Sequence, residues 1–116
     1  MELKEISSNI TPMFFPQREF VLIDNGVKVC QLMAMEVVKG KSLDLAIITI
    51  PEYQKMGYAS AGLKMLIGWA VEHHYQKVTL TNISGSEAID KIAKKLNFYK
   101  QNNHTWEKSI VGPLNL

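Results

Sequence analysis

The chain is expected to fold as an α/β (α+β) domain, a mixed and mostly antiparallel sheet flanked by helices, and three observations carry that expectation. Three extended stretches, residues 20–23, 27–38 and 43–50, follow one another with the turn signals Asp24-Asn25-Gly26 and Lys39-Gly40-Lys41 between them, which predicts an antiparallel meander. The last of these runs through a loop, Pro51 to Gly57, into a long apolar helix over 58–75 and then a strand over 77–81. Strand, helix and strand in that order make a parallel pair with a right-handed crossover. Finally, Ala88, Ile89, Ile92, Ala93 and Leu96 recur at helical spacing, and two short extended runs close the chain.

Each element has its own reason. Residues 1–17 read as an irregular segment: 3–7 allows a short strand, but Asn9, Pro12 and Pro16 interrupt any long element. Asn25-Gly26 suits the positive φ angles of a tight hairpin. In the strand that follows, neither alternating face is cleanly polar, which predicts a central position. The helix over 58–75 has one narrow polar stripe, Ser60, Lys64, Gly68 and Glu72, and is apolar elsewhere, as expected when a helix packs on a sheet. Gly68 costs about 1 kcal/mol against Ala inside a helix, and close packing is the only reason the sequence offers for it. Ser84-Gly85-Ser86-Glu87 reads as the next helix start, with Asp90, Lys91, Lys94 and Lys95 on its solvated side and Asn97 as a left-handed stop. Residues 98–100, the turn 101–103 and residues 105–111 read as a closing hairpin.

A length of 116 residues defines one domain, 1–116, long enough for a real core. The 47% hydrophobic and 21% charged content is that of an ordinary soluble chain, and a net charge of +2 does not argue for nucleic acid. No apolar run approaches the roughly 20 residues of a membrane span, and the N-terminus lacks a signal peptide's apolar stretch. A cytoplasmic protein with no membrane partner is expected. The lone Cys30 excludes an internal disulfide and reads as a small buried apolar residue. His73 and His74 are adjacent and cannot chelate one ion as an i, i+4 pair would, so no metal is expected.

The loop carries the chemistry. A strand leading through a glycine-bearing turn into a helix leaves backbone N–H groups without partners, and the helix dipole makes that place suitable for an anion. The spacing Gln54-x-x-Gly57-x-Ala59, with its Pro51-Glu52-Tyr53 lead-in, resembles the signature of the GNAT superfamily of acyl-CoA-dependent N-acetyltransferases. Lys95-Leu96-Asn97-Phe98 resembles the Lys-Leu-Gly-Phe that often ends the family's last helix. The resemblance covers residues 18–111, from the family's second strand onward.

It implies acetyl-CoA as co-substrate, held at its phosphates by Gln54, Lys55, Met56, Gly57, Tyr58, Ala59 and Ser60, largely through backbone N–H. The backbones of Ile48, Thr49 and Ile50 would bind the pantetheine arm where the family's sheet splays. The implied reaction is direct attack of a primary amine, from a small molecule or a peptide, on the thioester in a ternary complex. Glu36 and Asp44 stand where the family often places a basic carboxylate. The family's asparagine falls on Ser86 and its general-acid tyrosine on Ala93; Asn82 and Ser86 are expected among the cofactor contacts, and Tyr99, just past the helix, joins Glu36 and Asp44 as a catalytic candidate. The family's first strand and two helices, which build one acceptor wall, are reduced to about 17 residues here, which implies an open groove or one completed in a homodimer. The alternative is a non-catalytic CoA-binding regulatory or partner-binding subunit on the same scaffold.

Overall fold

The computed structural model describes residues 1–9, 17–82 and 85–110. The interruptions expected at Pro12 and Pro16, the helix start at Ser84 and the strand end at Val111 lie outside them. Among the described residues seven strands form one sheet, β1 Glu2–Asn9, β2 Gln17–Asp24, β3 Val27–Val38, β4 Ser42–Thr49, β5 Lys77–Thr81, β6 Tyr99–Lys100 and β7 Thr105–Ser109, in the order β1-β2-β3-β4-β5-β7-β6. Two helices accompany it, α1 Tyr58–Glu72 and α2 Glu87–Lys95. All pairings are antiparallel except β4 with β5. The mixed, mostly antiparallel expectation therefore describes the molecule.

The turns act through backbone chemistry. Asn25 and Gly26 take φ of 51° and 78°, both left-handed, as the β2–β3 hairpin requires. Asn97 takes φ 65° after α2, and the N–H groups of Asn97 and Phe98 bond back to Lys94 O and Ala93 O. That pair of bonds is a complete Schellman stop.

Three expectations need correction. The segment 1–17 is not irregular throughout, because Glu2–Asn9 pairs along β2 as an edge strand. An edge strand is held by ladder hydrogen bonds on one side only; Glu2, Lys4, Glu5 and Ile6 are exposed and Leu3 packs on the core, so the apolar alternation is weak. The long helix ends at Glu72 rather than Tyr75, with His74 turning left-handed at φ 66°. Close packing does not explain Gly68, which is exposed with nothing within 4 Å of an added Cβ. The packed glycine is Gly62, where a Cβ would meet Leu22, Leu32 and Ile47 at 3.4 to 3.5 Å.

Both helices lie on one face of the sheet. Gly62, Leu63, Leu66 and Ala70 of α1 pack over Leu22, Leu32 and Leu45, while Ala93 of α2 joins Leu80, Phe98 and Trp106. Among the described residues no helix covers the opposite face, which carries Asp44, Ala46 and Ile48 at alternate positions of β4; Ile48 is 66% exposed.

Candidate functional site

The sheet comes apart at its centre. The parallel ladder between β4 and β5 ends at the pair Leu45–Leu80, although β4 continues to Thr49 against β3. The N–H of Ile50 bonds Val29 O at 3.0 Å. Hydrogen-bonded and non-hydrogen-bonded pairs alternate along an antiparallel ladder, so Ile48 also turns its backbone to β3 while Ile47 and Thr49 turn theirs toward the gap. The Gln54 side chain donates across to Thr49 O at 3.4 Å. Of the strand residues expected to meet a pantetheine arm, Thr49 thus presents its N–H at the free edge, its carbonyl being taken by Gln54, Ile48 presents its side chain, and the Ile50 N–H is already committed to β3.

The loop after β4 makes a single 3-10 turn, Pro51–Tyr53, and then reverses hand. Lys55 and Gly57 take φ of 64° and 84°, with Met56 between them. Alternation in the sign of φ is the backbone pattern from which anion-binding concavities are built. Gly57 is the N-cap of α1, and nothing lies within 4 Å of where its Cβ would stand. Space on that side is open to a ligand.

The two helix starts provide a control within one molecule. In α2 the Ser86 hydroxyl accepts from Ile89 N–H, the side-chain Oδ1 of Asn82 accepts from Ser86 N–H, and Glu87 and Asp90 stand in the first turn. That end is capped and its dipole answered. In α1 no side chain caps the helix and no acidic residue occupies the first turn. The first amides of α1 are therefore left to a ligand or to water.

A groove of about 690 Å³ runs between these features. One side is β4 and the loop, including Ile48, Thr49, Gln54, Lys55 and Gly57; Tyr58, Ala59 and Ser60 form its end; the other wall is α2. Ser86 lines it, whereas Met56 and Ile50 do not, and Asn82 is buried with its side-chain amide donating to Ser86 O and Asp90 Oδ1. The α2 wall, Ala88, Ile89, Lys91, Ile92 and Lys95, was not legible in the sequence: Lys91 and Lys95 read as solvated and are exposed, and it is the fold that sets them along the rim of the groove. Tyr58 is fixed in place by donating its hydroxyl to Asp24 Oδ2 at 2.6 Å, a bond that raises the phenol's pKa.

The candidate catalytic residues separate. Asp44 lies on the uncovered face, one residue before the ladder ends, and accepts from the hydroxyls of Thr79 at 2.7 Å and Thr81 at 3.2 Å. Glu36 pairs with Leu43, at the far end of β4 from Thr49, roughly 20 Å away at about 3.3 Å per residue. It accepts there from Tyr75 Oη at 2.7 Å and Gly40 N–H at 3.1 Å, which takes it away from the groove. Tyr99 bonds Glu107 on the outermost hairpin and does not line the groove either, and Ala93, where a phenol was expected from the family pattern, is fully buried. Burial raises the Cys30 pKa, only partly offset by the Thr49 hydroxyl at 3.5 Å, so the thiol is a core group. Among the described residues no group of three or more His, Cys, Asp or Glu could hold a metal, and no helix is long and apolar enough to cross a membrane.

No family model and no curated protein matches the chain by sequence. Solved structures do match its shape. Spermidine N-acetyltransferase from Vibrio cholerae, solved in complex with CoA and spermine, superposes with a TM-score of 0.72 at 15% identity over 80% of this chain and 65% of that one. An N-acetyltransferase from Staphylococcus aureus Mu50 gives 0.70 at 19% identity over 82% and 68%. The ribosomal-protein-S5-alanine acetyltransferase of Vibrio fischeri gives 0.73 at 15% over 83% and 63%. The chain thus has the fold of the GNAT N-acetyltransferases and spans about two thirds of the length of the structures it resembles. In this chain the fold takes the form of a seven-stranded sheet, among the described residues, that opens at its centre beside the groove.

Proposed function

We propose that the chain is an N-acetyltransferase that binds acetyl-CoA in the groove and transfers its acetyl group to a primary amine by direct attack in a ternary complex. The observation that carries this is a single path: the groove begins at the bare N-terminus of α1 and ends where β4 and β5 part. The first end suits a pyrophosphate, and the second offers the strand edge of Ile47 and the Thr49 N–H to an amide-bearing arm. The amine nitrogen forms a bond to the acetyl carbon as the carbon–sulfur bond breaks, and one proton leaves the nitrogen. Asp44 is the base best placed to receive it, because it faces the uncovered side from which an acceptor approaches.

A second reading, a CoA-binding subunit without turnover, is favoured by Ala93, which puts a buried methyl where a proton-donating phenol was expected. The uncovered sheet face supports a homodimer as the working assembly, to be checked by light scattering at micromolar concentration. We assign the enzyme to the cytoplasm, where a reducing milieu suits the free thiol of Cys30.

The test is the melting temperature with acetyl-CoA, CoA and ATP, followed by thiol release from acetyl-CoA across a panel of amines. A ligand at 100 times its Kd stabilises by about 2.7 kcal/mol. A shift with acetyl-CoA that exceeds the shift with ATP, together with turnover, supports the enzyme. A shift without turnover on any amine favours the binding subunit, and no shift removes both.

A further inference from the structure

A second cleft, of about 520 Å³, opens between α1 and α2 and continues the first, since Gly57, Ser60 and Lys95 line both. Three cations meet in it from three separate elements: Lys64 of α1, Lys95 in the last turn of α2, and Lys108 of β7. No carboxylate lines it. Among the described residues none of the three lysines belongs to an ion pair, whereas Lys77, on the same sheet, is paired to Glu107 at 3.4 Å. With a net charge of only +2 on the whole chain, bringing three uncompensated ammonium groups to one cleft is a local concentration of positive potential, and their mutual repulsion is relieved by an anion.

Position narrows which anion. Ser60 and Lys64 share a stripe of α1, and Lys64 stands about 10 Å along the helix from Gly57 at roughly 1.5 Å per residue. An anion in this cleft therefore lies beside the pyrophosphate end of the groove and away from the strand gap, with a sugar-sized spacing between the two. Lys108 is half-buried between its strand neighbours, which gives it less freedom than a solubilising surface lysine has.

We infer that this cleft is a phosphate subsite which makes the protein select coenzyme A carrying its ribose 3′-phosphate over the 3′-dephospho form, with Lys64 and Lys108 as determinants. The inference rests on the acetyl-CoA reading above. Lys95 faces both clefts and serves both phosphate positions; Lys64 and Lys108 face only this one, so they isolate it.

The experiment is calorimetric titration of the wild type and of the double variant Lys64→Gln/Lys108→Gln with acetyl-CoA and with acetyl-3′-dephospho-CoA. The wild type is expected to prefer acetyl-CoA by about tenfold, the scale of one charge-assisted contact. The double variant is expected to lose that preference, keeping its affinity for the dephospho form and its ligand-free melting temperature. Equal wild-type affinities, or a preference that survives in the double variant, would overturn the subsite while leaving the acetyl-CoA reading intact. Binding of neither coenzyme would overturn that reading, and this inference with it.

Discussion

Asp90 Oδ1 accepts the indole N–H of Trp106 at 2.8 Å and also the side-chain amide of Asn82 at 3.0 Å, so one carboxylate oxygen ties α2 to β7 and to the end of β5. Because α2 is a wall of the groove, this junction sets the groove's width.

The two bonds, Trp106 foremost, hold the Asp90 carboxyl below the usual aspartate range. A carboxylate whose pKa is lowered on folding contributes stability above its unfolded value and loses it as pH falls through the folded value. The wild type is therefore expected to lose melting temperature on acidification below the ordinary aspartate range. Asp90→Asn should melt lower at neutral pH and lose less of its remaining stability over that acid window, measured by calorimetry across the pH series.

Gly57→Glu should abolish the thermal shift with acetyl-CoA, by filling the open space at the N-cap and placing a negative charge there. Gly57→Ala separates the two effects: the left-handed φ of 84° costs a residue with a Cβ about 1 kcal/mol, with cofactor binding weakened rather than lost.

Asp44→Asn should lower kcat by about a hundredfold, the low end of general-base contributions, with acetyl-CoA affinity retained because Asp44 does not line the groove. Steady-state kinetics alongside a binding isotherm reads this, and an unchanged kcat would remove Asp44 from the mechanism.

Burial, with help from Glu36 as acceptor, pushes the Tyr75 phenol up to about 12. Folding stability from this pair is complete below the ordinary tyrosine value and is lost as pH rises toward 12. Glu36→Gln should bring the slowest-titrating phenol down, seen by ultraviolet titration.

Gly68→Ala should stabilise the domain by about 1 kcal/mol, raising the melting temperature by about 4 °C, since α1 carries this glycine on an exposed turn with open space beside it.

What was legible in the sequence was local. Asn25-Gly26, Gly57 and Asn97 announce left-handed backbone whatever surrounds them, and the structure puts positive φ at each. The βαβ unit could be read because β4 and α1 are strongly apolar. β1 was hard to read because an edge strand needs no alternation. Close packing was assigned to Gly68 although a signal against it was present: Gly62, Leu66 and Ala70 fall on one stripe at i, i+4, i+8, the buried one, whereas Gly68 falls with Lys64 and Glu72. Glu36 and Asp44 look alike as strand carboxylates, and only the register, Leu43 opposite Glu36 and Thr79 opposite Asp44, separates them. Lys64, Lys95 and Lys108 come together only in three dimensions, and each alone is an ordinary surface charge.

The short ladder between β4 and β5 has a mechanical consequence. Among the described residues, the four-strand side of the sheet is paired with the three-strand side through residues 42–45 and 77–80, with the Lys41 carbonyl accepting from the N–H groups of Gln76 and Lys77 at that end. The sheet is two stiff plates sharing a narrow hinge, and its centre, usually the slowest part of a sheet to exchange amide hydrogens, holds two raw edges instead. A ligand that bonds across the opening acts as a brace, damping the flexing of one plate against the other. The amides of Ile47 and Thr49 are where that stiffening is felt first.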